Sequence, residues 1–218
     1  MRYEMTFDPN EFTKQIFKAQ QQPFSWLRSA GHLRDAAEMI LRHELQAEIS
    51  YSLAHKIADE EATAASVRDD ADFGVADIKA TAPNYPPAQL LYAYAIENVL
   101  KGLIVFKRPE LIQEHKLDDE LKNHDLNELA ENAEVTVEHE ERPILEALSQ
   151  LSIWAGRYPV ALNRHDSGMA NPNEWLGYGS ARPIMRTFFA RIYNELESRV
   201  PEQISGFEQV FVFREQGT

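Results

Sequence analysis

The chain has 218 residues, a formal net charge of −13 and no cysteine. The length suffices to bury a substantial core in one large domain, and the lack of thiols removes disulfides, thiol catalysis, iron–sulfur clusters and most structural zinc sites, which fits a reducing, cytoplasmic setting. So acidic a chain also argues against broad, non-specific adhesion to DNA or acidic lipid, since phosphate-driven binding wants a basic surface, although a local basic pocket stays compatible with it.

The opening residues, MRYEMTFDPNEF, show no apolar core and no small-residue cleavage site, so neither secretion nor a membrane span is expected. A first helix is predicted over residues 10–20, with Phe12, Ile16, Phe17 and Ala19 on its apolar side. Pro23 and Ser25 open a second, long one, in which Trp26, Leu27, Ala30, Leu33, Ala37, Ile40, Leu41 and Leu45 recur at three and four residues; the pattern carries it to about Ile57. From Asp59 the stripe dissolves into DEEATAASVRDDADFG and then the breaker-rich APNYPP, which reads as a linker whose start contains good helix formers. Residues 88–106, AQLLYAYAIENVLKGLIVF, are apolar nearly all round and predict a central buried helix. Its polar residues stand out, and Glu97 and Lys101 are spaced for an ion pair on one face.

A charged loop follows, then NHDLNELAENA, where His124 or Asp125 can cap a short helix. Ile144, Leu145, Leu148, Leu151 and Trp154 mark another amphipathic helix with Pro143 in its first turn, terminated by Gly156 and Pro159. Residues 158–180 form a long loop rich in Gly, Asn and Pro, of a length more often functional than idle. A last helix spans residues 183–198, and QVFVF at 209–213 is the lone strand-like pattern. The expected architecture is therefore an all-α, antiparallel helical bundle: N-terminal helices in residues 1–60 packing on it, an acidic, proline-containing linker at 61–86, the bundle at 87–200 and a tail at 201–218.

No cofactor or metal is expected. His32, His43 and His55 lie about three turns apart on one helix, but no Glu-x-x-His pairing accompanies them. The chain has no Gly-x-Ser-x-Gly and no glycine-rich phosphate loop after a strand. Arg157, at a helix end before a proline, either holds the last carbonyls of that helix or an anion. Together with Lys101 and His124 it would form a small cationic site for a phosphate, with Tyr158 or Trp175 available to stack on a base.

The order AIENVLKGLIVF, NHDLNELAENA and an amphipathic helix ending IWAGRYPV resembles the HEPN domains, over roughly residues 87–200. The resemblance implies a helical bundle, commonly dimeric, and one of two activities. One branch consists of metal-independent endoribonucleases, in which an arginine is followed within a few residues by a histidine, the histidine moving protons and the arginine steadying the phosphate. The other lacks that motif and binds nucleotides or other polyanions, or acts in complexes. Here seven residues separate Arg157 from His165, and Pro159 interrupts the helix between them. Arg108 and His115 have six residues between them but precede the His-Asp-Leu segment. The expectation is a non-catalytic, homodimeric module that binds a nucleotide or RNA-like ligand through Lys101, His124, Arg157 and Tyr158. The alternatives are an RNase using Arg108 with His115 or Arg157 with His165, and a structural interaction protein in which these residues only cap helices.

Overall fold

The computed structural model of the protein describes residues 13, 14, 16, 17, 22–69, 74–112, 116–155 and 181–200. The chain is all-α. Five helices follow one another among the described residues: α1 Pro23–Asp69, α2 Pro86–Lys107, α3 Leu126–Asn132, α4 Arg142–Gln150 and α5 Ala181–Arg199. Short 3-10 turns at Pro109–Leu111 and Asp119–Lys122 connect α2 to α3, and a single bridge joins Ile112 to Leu117. Residues 13, 14, 16 and 17 are helical, while the rest of the helix expected over 10–20, the loop at 158–180 and the 209–213 pattern lie outside the described residues.

α1 has 47 residues and is roughly 70 Å long at 1.5 Å per residue. It does not stop near Ile57. The segment after it lacks an apolar stripe but is rich in alanine and free of glycine and proline until Gly74, so intrinsic propensity carries the helix on to Asp69. The part of the expected linker that follows packs back along α1. A Cβ on Gly74 would lie 1.9 Å from the Ala62 carbonyl oxygen, a backbone approach that only glycine permits. Farther along, the Asn84 amide donates to the Glu44 carboxylate at 2.9 Å.

α2 begins at the Pro86–Pro87 pair, where missing amides cost nothing because the first turn has no acceptor for them. It is the centre of the fold: Tyr92, Ile96, Leu100, Leu103 and Ile104 are buried, and α1, α3, α4 and α5 all pack against it. By length and composition it is apolar enough to cross a membrane, and most of its surface is covered by the rest of the chain. At Gly102 an added Cβ would meet Leu196 at 2.6 Å and Trp26 at 3.1 Å, so the absent side chain lets α1, α2 and α5 converge. α5 closes the core with Met185, Phe188, Phe189, Ile192 and Leu196, spaced to share one face. Its arginines reach outward to other elements: Arg182 to Glu48, Arg186 to Glu38 and Arg191 to Glu141.

Candidate functional site: a buried carboxylate shared by lysine and histidine

Glu97 and Lys101 lie one turn apart on α2, 8% and 4% exposed, and Lys101 Nζ donates to Glu97 Oε1 at 2.7 Å. A charge so deeply buried is stable only when paired and hydrogen-bonded. The second carboxylate oxygen, Glu97 Oε2, lies 3.0 Å from His124 Nδ1. One carboxylate thus holds both side chains.

Local chain chemistry delivers His124 to that position. Asp125 is the N-cap of α3, its carboxylate accepting from the amides of Asn127 and Glu128 at 2.9 and 3.1 Å. The cap is therefore Asp125 and not His124, which frees the imidazole to turn toward α2. The Leu126 amide donates to Ser149 Oγ at 2.9 Å, and Ser149 Oγ donates to the Leu145 carbonyl at 2.8 Å. This ties the start of α3 to the end of α4. Immediately beyond, residues 151–155 form a π-helical turn packed against α2. Such one-turn insertions recur at functional sites because they displace the residues that follow from ordinary helical register. Arg157 lies two residues past this turn in sequence.

An ionised carboxylate accepts from a protonated Nδ1, so the Glu97 contact favours one tautomer and leaves Nε2, without a partner among the described residues, as an acceptor in the neutral ring and a donor in the imidazolium. The His124 side chain is 42% exposed. Lys101, by contrast, faces Glu97 from inside the fold. Its expected role as a direct ligand contact gives way to support of Glu97, because the carboxylate neutralises it and the packing covers it. The exposed group of the cluster is the imidazole.

The other expected residues are placed as follows. Arg108 makes a two-pronged ion pair with Glu120, which holds its guanidinium within the α2–α3 connection and raises its pKa through the hydrogen bond. This geometry commits the arginine of one RNase pairing to a local partner. Arg157, Tyr158, His115, His165 and Trp175 lie outside the described residues. His43 is exposed beside Glu44, His55 stacks edge-on against Tyr51 with ring centroids 4.6 Å apart, and His32 is exposed; they do not converge. Among the described residues no three metal-ligating side chains come together.

A second polar hub escaped the sequence reading. Glu38 of α1 accepts both nitrogens of Arg186, each at 2.7 Å, and the hydroxyl of Tyr92 from α2. Burial works to raise the Glu38 carboxyl, but the hydrogen bonds from Arg186 and Tyr92 outweigh it and hold the group below the usual carboxylate range. Burial first, and then the bond to Glu38, push the Tyr92 phenol well above its ordinary value. A tyrosine within an apolar run facing a glutamate on the neighbouring helix was the available signal. It needed the helix pairing to be legible. A scan of protein families returned no match to this chain, and searches of curated proteins and of solved structures found none either.

Proposed function

We propose that the protein is a HEPN-like, non-catalytic module that binds a phosphate-bearing ligand, such as a nucleotide, at the exposed edge of His124. The observation that carries this reading is the Glu97 carboxylate bonded at once to Lys101 and His124, with the imidazole half-exposed. A carboxylate-oriented imidazole holds Nε2 in a fixed direction, and in the imidazolium form that nitrogen donates to an anion, so little side-chain freedom is lost on binding. Arg157 would supply the second, charge-bearing contact and Tyr158 a stacking face.

The test is thermal denaturation of the full chain with inorganic phosphate, pyrophosphate, ADP and ATP, repeated on His124→Ala and Arg157→Ala. A ligand that binds only the folded state stabilises it by about 2.7 kcal/mol at about one hundred times its Kd. Stabilisation by at least one of these compounds, lost in both variants, is the expected result; no stabilisation by any of them contradicts the reading.

The same Glu97–His124 geometry suits a general base, which favours metal-independent RNA cleavage as the second reading. Cleavage in the presence of a chelator, lost in His124→Ala and Arg157→Ala, would select it.

A further inference from the structure

The outer face of α1 carries a stripe left uncovered among the described residues: Leu45 is 50% exposed, Ile49 54%, Leu53 58% and Ile57 47%. The side of the same helix that packs inward includes Leu27, Ala30, Ala37, Leu41 and Ala58, so the helix is apolar on two sides where one would do. Contiguous exposed apolar area of this kind marks an interaction surface.

The flanking charges say what covers it. The four apolar residues are symmetric about position 51. Nine positions before that centre, on the same face, stands Arg42; nine positions after it stands Glu60. Neither lies within ion-pair distance of an opposite charge among the described residues, although Arg42 is near enough to Glu38 to help lower its carboxyl. We propose that α1 pairs antiparallel with α1 of a second copy of this chain about a twofold axis at the level of residue 51. Leu45 then faces Ile57 of the other copy, Ile49 faces Leu53, and Arg42 meets Glu60 at both ends. Met39, 68% exposed, falls opposite Thr63 and Ala64, where Glu60, Thr63, Ala64 and Val67 line an open depression. The charges select this register. Sliding the helices by one turn in one direction sets Arg42 against Lys56 of the second copy, and in the other direction leaves it opposite Ala64. An isologous contact of this kind closes on itself, so the assembly stops at a dimer. The proposal is independent of the ligand reading above, since His124 lies on neither α1 nor its outer face.

Sedimentation equilibrium of the full chain should give a concentration-dependent dimer. Leu53→Glu should abolish it without loss of helical circular dichroism or cooperative melting, because the position is exposed. Arg42→Glu and Glu60→Arg should each weaken the dimer by about tenfold by opposing like charges twice, and the double swap should restore it. Because the chain has no cysteine, mixing Ile49→Cys with Leu53→Cys chains reports orientation: the mixed disulfide should outnumber both homodisulfides. A monomer at all concentrations overturns the proposal. So does a dimer indifferent to Leu53→Glu, a double swap that fails to restore pairing, or a predominance of homodisulfides, which denotes parallel helices or a register slid by one turn.

Discussion

Two carboxylates organise the polar interior of this fold, and they are built to opposite ends. Glu38 is saturated: both oxygens accept from Arg186 and one also from Tyr92, so three helices meet at one carboxylate. Glu97 holds Lys101 and His124, and the imidazole is half-exposed, with no partner for its second nitrogen among the described residues. Both are ion-pair clusters by inventory. What separates them is the group each carboxylate orients: at Glu38 a guanidinium that only donates, at Glu97 an imidazole that can give or take a proton.

The sharpest way to break the contrast is Glu97→Ala. It strands the buried Lys101 ammonium and should cost about 3–5 kcal/mol in urea denaturation. The double variant Glu97→Ala with Lys101→Met should recover much of that loss, because a pair replaced by apolar groups leaves no orphaned charge.

Glu38→Ala comes next. It leaves the Tyr92 hydroxyl, in a residue 2% exposed, without its acceptor, for an expected loss of about 1–3 kcal/mol. Its pH signature follows from the lowered carboxyl. A folded-state pKa below the unfolded value means stability that is fully present above the ordinary glutamate value of 4.5 and is lost as pH falls through the folded one. Chemical denaturation from pH 6 downward should therefore show a shallower acid loss in Glu38→Gln than in the parent chain. A smaller effect distinguishes a polar group with no partner from both hubs. Gln89 is 2% exposed and neither of its amide atoms is hydrogen-bonded among the described residues, so Gln89→Met should be neutral or stabilise by up to about 1 kcal/mol. Least of all for stability is His124→Ala, expected within about 0.5 kcal/mol because the ring is half-exposed and Lys101 still pairs with Glu97; its consequence should fall on ligand binding instead.

The legible parts of the molecule were those governed by local rules. The three- and four-residue stripe from Trp26 to Leu45 gave α1, the apolar run after Pro87 gave the buried α2, and Pro143 marked the first turn of α4. Glu97 and Lys101 were visible as a pair because their spacing places them on one face. Three things escaped that reading, the first for a local reason and the other two for want of the third dimension. The helix past Ile57 is set by alanine-rich propensity where the apolar period has already faded. The choice between His124 and Asp125 as cap depends on where α2 sits, since the imidazole is drawn to Glu97 across a gap of 27 residues. The contacts of Arg108 with Glu120 and of Glu38 with Tyr92 and Arg186 join residues whose sequence separation carries no pattern.

The measurement closest to the central claim is nitrogen-15 NMR of the His124 ring, assigned through His124→Ala, during titration with ADP and inorganic phosphate. The account predicts a protonated Nδ1 bonded to Glu97 and an Nε2 resonance that moves on ligand addition while Nδ1 stays in place. An unprotonated Nδ1, or an Nε2 that no phosphate compound shifts, would contradict it.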